Sequence, residues 1–156
     1  MARDEIEIGA LASLAGYHLR RAASAFLTDF TAAMDGSGLR QVTFAILSTV
    51  AENPGTNQGA IGRVLSIQRA NMVALIDELV DKGLIERAVD RSDRRAFSLT
   101  LTPAGEAALI DARKRIDAHE RRMLAEFSPK ERAKLAELLS RIERRNPAGS
   151  EGKAPG

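Results

Sequence analysis

The chain has 156 residues, 44% hydrophobic and 28% charged, the balance of a soluble globular protein at the size of one domain. With five Phe, one Tyr and no Trp, the core must be aliphatic, which suits close-packed helices and argues against an all-β sandwich. Formal net charge is +2, with no cysteine and two histidines; a disulfide framework, a thiol nucleophile and a cysteine redox switch are excluded, and neither a metal nor another cofactor is expected. Apolar runs such as Phe44 to Leu47, Met72 to Ile76 and Ala107 to Ile110 fall far short of the ~20 residues that span a bilayer, so no membrane contact is expected. The start, Met1 to Ile8, lacks the basic-then-apolar layout of a secretory signal, which places the protein in the cytoplasm.

From about Ile6 to Met34 apolar residues recur at helical spacing, with Leu11, Leu14, Ala15, Ala22, Ala25 and Phe26 on one stripe, and the reading is one long amphipathic helix. Asp35-Gly36-Ser37-Gly38 breaks it. A second helix follows from about Arg40 to Glu52, ended by Asn53-Pro54-Gly55. Thr56 is the expected N-cap of a short third helix carrying Ala60, Ile61, Val64 and Leu65. After a tight turn at Ser66-Ile67, a fourth helix spans about Gln68 to Lys82, with Met72, Leu75, Ile76 and Leu79 sharing a face and Gly83 as a left-handed cap.

Leu84 to Val89 and Ala96 to Thr102 then switch to strand period and read as a hairpin, its loop the polar run Asp90-Arg91-Ser92-Asp93-Arg94-Arg95. Thr102-Pro103 opens a fifth helix, running to about Phe127 with Ala107, Ile110, Ile116 and Met123 among its apolar positions. Ser128-Pro129-Lys130-Glu131 is a capping box for a sixth, whose seam is Leu135, Leu138, Leu139 and Ile142. The tail, 147–156, has almost nothing to bury and is read as disordered. The fold class is therefore mainly α with a small β-hairpin. Residues 1–146 form one domain, in which a winged helix-turn-helix (40–102) is flanked by dimerisation helices (6–34 and 103–145), because the end helices carry more apolar stripe than the middle can cover.

If Met72, Leu75, Ile76 and Leu79 are buried, the fourth helix exposes Gln68, Asn71, Ala74, Asp77, Glu78 and Asp81, neutral at its start and acidic toward its end. The acidic end must avoid phosphate, so the first turn enters a major groove. There Gln68 and Asn71 are the expected base contacts, and Arg69 contacts a guanine or a phosphate. Arg94, near the hairpin tip, is the residue expected to insert into a minor groove, with Arg91 and Arg95 beside it and Arg63 as a phosphate clamp. The bland alternative is a solvated loop in which Asp93 and Arg95 pair with each other or with Asp77.

The run Leu79, Lys82-Gly83-Leu84-Ile85-Glu86-Arg87, Asp90, Asp93-Arg94-Arg95, Leu99, Leu101-Thr102-Pro103-Ala104-Gly105 resembles the multiple-antibiotic-resistance regulator (MarR) family of bacterial transcription factors, and the likeness extends over about residues 8 to 145. It implies a homodimer on double-stranded DNA that reads a pseudo-palindrome, represses, and is released by a small aromatic acid or its acyl-CoA thioester. It also implies a ligand pocket between the first, second and fifth helices and the winged region. His18 and Arg21 would be its donors and Phe26, Phe44 and Leu47 its walls; otherwise His18 is a core or interface histidine. Two alternatives are a winged-helix module for protein partners and a DNA-binding regulator without a ligand. An enzyme is not expected, since neither histidine has a local catalytic signature.

Overall fold

A computed structural model describes residues 7–89 and 97–145. A short 3-10 turn, Gly9–Ser13, precedes α1 (Ala15–Ala33), α2 (Gln41–Glu52), α3 (Gln58–Val64), α4 (Arg69–Asp81), β1 (Ile85–Val89), β2 (Phe97–Leu101), α5 (Pro103–Met123) and α6 (Pro129–Glu143). The single long first helix expected from periodicity is broken at Leu14, whose extended backbone separates the 3-10 turn from α1. The expected helix–turn–helix and hairpin are present in order.

The core centres on α2, whose Thr43, Ile46, Leu47 and Val50 are fully buried. Around it pack Ile61 of α3, Met72, Ile76 and Leu79 of α4, Ile85 and Leu99 of the hairpin, and Leu109 and Ala112 of α5. The predicted inner face of α4 is thus correct, with Leu75 half-buried beside it. Gly62 is buried where α3 turns into α4, and a Cβ there would sit 3.1 Å from the Ile67 carbonyl oxygen, so a small residue lets the two helices close up. Gly83 has φ +69°, and its N–H donates to Val80 O at 2.8 Å while Leu84 N–H donates to Leu79 O at 2.9 Å, the six-to-one closure of a helix ended by a left-handed residue.

β1 and β2 pair antiparallel from Ile85↔Leu101 to Val89↔Phe97. Thr56 is not the cap of α3. Asn57 caps it, accepting from Ala60 N–H at 2.9 Å, because the Thr56 backbone is taken up by the hairpin: Leu99 N–H donates to Thr56 O at 2.7 Å. Thr102 caps α5 and Ser128 caps α6 through a capping box, as expected.

On α5 the buried face is Gly105, Leu109, Ala112 and His119; of the apolar positions expected there, Ala107 is exposed and Ile110 is 56% exposed. On α1 and α6 no residue is buried. The expected disordered tail lies outside the described residues.

Candidate functional site

Three elements position the N-terminal half of α4. Met72 and Ile76 bury one side in the core, the turn at Leu65-Ser66 fixes where the helix starts, and β1 packs along its C-terminal half. Ser66 holds φ +54°, the left-handed conformation that lets the chain reverse between α3 and α4. Gln68 stands at the N-cap position with extended backbone and no side-chain cap bond, so its amide is free to face outward. Gln68 and Asn71, the predicted base contacts, and Arg69, predicted to meet a guanine or a phosphate, are all exposed and lie together on the first turn. Ala70, Val73 and Ala74 continue that face.

The acidic half of α4 is neutralised by neighbours. Asp77 pairs with Arg87 of β1, and Glu78 pairs with Arg40 and, at 2.8 Å, with Lys82. The Lys82 hydrogen bond, with Lys82 and Arg40 as nearby charges, holds the Glu78 carboxyl below its ordinary value of 4.5. Carboxylates that would repel a phosphate backbone are thereby matched with cations, leaving Asp81 exposed at the far end. Arg63 is exposed on α3. Arg91, Arg94 and Arg95, and the pairing alternatives of Asp93, lie outside the described residues; the strands that carry their loop are in place on the same side of the core as α4.

The five predicted ligand contacts are not brought together. His18 is exposed rather than inward, its Nε2 within 2.9 Å of Ala12 O, because the break at Leu14 folds the 3-10 turn back beside it. Arg21 is exposed and donates to Tyr17 Oη at 3.0 Å. Phe26 sets its edge against His119, Phe44 is half-buried against the core and Leu47 is inside it. A cavity of the size of a small ligand lies where α1 ends and α2 begins. It holds about 620 Å³, walled by Leu27, Phe30, Met34, Leu39 and Val42, with Arg40 and Gln41 also in its lining.

The sequence reading passed over the other histidine. His119 is 2% exposed, wedged edge-on between Phe26 and Phe30. Its Nδ1 lies 2.6 Å from Asp29 Oδ2, which also accepts from Arg122 at 2.8 Å. An ionised carboxylate can only accept, so Nδ1 carries the hydrogen. The His119 bond first, then the Arg122 bond, lower the Asp29 pKa from its ordinary 3.8. The three side chains clip α1 to α5. The signal was available: Asp29 and Phe30 follow Phe26 of the apolar stripe at helical spacing.

A recognition helix with a free polar first turn, beside a two-stranded wing and on a helical scaffold, defines a winged-helix DNA-binding protein. A family model for the MarR family matches residues 37–96. The chain is 31% identical over 143 residues, covering 91% of itself and 86% of the relative, to a candidate transcriptional regulatory protein for the hcr operon of Thauera aromatica. It is similar to the transcriptional repressor CouR solved on a 23-mer DNA duplex, with TM-score 0.84, 36% identity, and coverage of 88% of this chain and 98% of that one. CouR bound to p-coumaroyl-CoA gives TM-score 0.76 and 35% identity over 90% and 99% of the two chains. The chain belongs to the MarR family of transcriptional regulators. No described helix is long and apolar enough to cross a membrane.

Proposed function

We propose that this protein is a homodimeric repressor that acts by binding rather than by catalysis, reads an operator through the first turn of α4 and the wing arginines, and leaves DNA when an aromatic acid or its CoA thioester binds. The observation that carries the reading is the polarity of α4: Gln68, Arg69 and Asn71 stand free at its start, while Asp77 and Glu78 are already charge-paired. Arg91, Arg94 and Arg95 fall in sequence between the two paired strands, β1 and β2. The CouR complexes with DNA and with p-coumaroyl-CoA support both halves of the reading.

The dimer follows from uncovered apolar surface. Leu14 and Leu27 on one side, and Ile110, Leu138 and Ile142 on the other, are each between 42% and 56% exposed. Two copies paired through 6–34 and 103–145 would cover them and set two recognition helices one helical turn, ~34 Å, apart. The ligand would enter the cavity between α1 and α2, which is walled largely by apolar side chains and includes Arg40 in its lining.

The test is binding to the DNA upstream of the chain's own gene, compared with random duplex at ~150 mM salt. Specific binding is expected as one dimer per site, weakened severalfold by Arg94→Ala and relieved by p-coumaroyl-CoA. Equal affinity for both duplexes would refute the repressor reading. A sedimentation mass of one chain at micromolar concentration would refute the dimer.

A further inference from the structure

The cavity at the start of α2 and the recognition helix share residues. Arg40 lines the cavity, and its guanidinium pairs with Glu78 of α4. Gly38 also lines the cavity, and its carbonyl accepts from Lys82 Nζ at 3.0 Å, the same ammonium that donates to Glu78 Oε1 at 2.8 Å. The two oxygens of Glu78 are thus divided between two cations: Oε2 takes Arg40, and Oε1 takes Lys82, whose ammonium also holds the cavity turn.

The charge arithmetic of the cavity is what makes this sharing consequential. Among its lining residues Arg40 is the one cation, and Asp35 is the one anion. An anionic ligand therefore finds no other charge partner in the wall, and it can engage that partner only in competition with Glu78. The Arg40 backbone does not move to help, because its N–H donates to Thr43 Oγ1 at 2.8 Å and Thr43 is fully buried. What redistributes is the side chain. Glu78 lies seven residues after Asn71 on the same helix, about two turns or ~10 Å along the axis, so releasing it loosens α4 just behind its DNA-facing turn.

We propose that the Arg40–Glu78–Lys82 bridge couples the cavity to the recognition helix: an anion in the cavity takes Arg40 from Glu78 and frees α4 from the seat it needs on DNA. The inference rests on the cavity reading given above and adds its regulation. Because coupling is reciprocal, the competitor Glu78 holds ligand affinity down, and removing it raises that affinity. A bridge that served only as a fold clip would not have this signature.

The experiment uses the full-length protein with two probes that carry their anions differently, p-coumarate through a carboxylate and p-coumaroyl-CoA through phosphates, and with the neutral p-coumaramide as control. Calorimetric titration without DNA is expected to give Glu78→Gln about threefold tighter binding of the anionic probe that fits, as suits a partly exposed ion pair. Arg40→Gln is expected to bind that probe severalfold more weakly, and p-coumaramide is expected to respond to neither substitution. In DNA competition, the loss of operator affinity caused by the same probe should be at least halved in Glu78→Gln. Thermal melts of both variants show whether each is folded, and either one alone carries a prediction of opposite sign. If the wild type binds a probe but Glu78→Gln binds it no more tightly and releases DNA fully, the bridge is refuted and the cavity reading stands. If the wild type binds neither anionic probe, the cavity reading falls and the coupling falls with it.

Discussion

Replacing Gly105 by alanine should destabilise the protein by about 1–3 kcal/mol, although Gly to Ala inside a helix ordinarily gains up to ~1 kcal/mol. Gly105 is buried on the first turn of α5, and a Cβ built on it would lie 2.0 Å from Leu84 O, 3.0 Å from Leu84 C and 3.3 Å from Leu84 Cα. A carbon and a carbonyl oxygen normally meet no closer than ~3.3 Å, so backbone must give by more than an ångström. It is poorly placed to do so. Leu84 O accepts from Thr102 N–H at 3.1 Å, Leu84 N–H is committed to Leu79 O at 2.9 Å, and the next residue, Ile85, is in the core. Forced overpacking of this kind costs ~1–3 kcal/mol, the strained Thr102 bond ~1 more, and the helix-propensity gain offsets about as much. Gly16→Ala is the matched control: nothing lies within 4 Å of its added Cβ, so it should be neutral or stabilising by up to ~1 kcal/mol. Urea unfolding at one fixed protein concentration, followed by circular dichroism, measures both. Equal midpoints for the two variants would refute the close-approach argument.

Asn57→Ala removes the side chain that caps α3 at Ala60 N–H, and urea unfolding should show a loss of ~0.5–2 kcal/mol, whereas Thr56→Ser, which leaves the backbone bridge to Leu99 intact, should cost less. Asn71→Ala should cost ~1–3 kcal/mol at one operator position and relax base preference there, read from competition with single-base variants of the site. Asp29, Glu78 and Glu131 all hold their protons less tightly than their ordinary 3.8 and 4.5 would give. Folded carboxylates with depressed pKa contribute stability above those values and lose it as pH falls through and below them, so unfolding takes up protons on the acid side. Asp29→Asn should flatten that acid slope, and melting curves that fall equally steeply with pH in variant and wild type would refute the role given to the His119 clip.

What was legible in the sequence was whatever rests on local rules. Gly83 ends α4 and Thr102-Pro103 starts α5 because each condition is set within one turn of chain. The Ser128 capping box and the alternation around Leu99 are equally local. The misplaced features depend on distant chain. Thr56 looks like a cap until Leu99, forty-three residues away, takes its backbone. His18 was read inward by continuing a stripe through Leu14, where the backbone turns extended, while His119 is buried by Phe26 and Phe30, which are ninety residues or so upstream. The Arg40–Glu78 pair likewise joins residues that no spacing rule connects.

The apolar stripes of the end helices show a different limit of local pattern. Leu11, Leu14, Ile110, Leu138 and Ile142 were read as apolar surface of the end helices to be covered by pairing with a second copy, and each stands exposed on the single chain. Local pattern registers only that a face is to be hidden, not whether the cover comes from the same molecule. On α5 the two demands separate cleanly: Leu109, Ala112 and His119 meet the chain's own core, while Ile110, one position round from Leu109, points away from it. A helix with both faces spoken for reads as one broad stripe, and its true inner edge is then mistaken by a residue. The proposed dimer resolves that ambiguity in physical terms, since burying Ile110, Leu138 and Ile142 against a second copy satisfies the same period that the single chain leaves unmet. A charged residue at Ile110 or Leu138, such as Ile110→Glu, should therefore halve the sedimenting mass and abolish operator binding while leaving the helical signal of the monomer. A variant that remains a dimer with wild-type affinity would show that these faces are not the ones that meet.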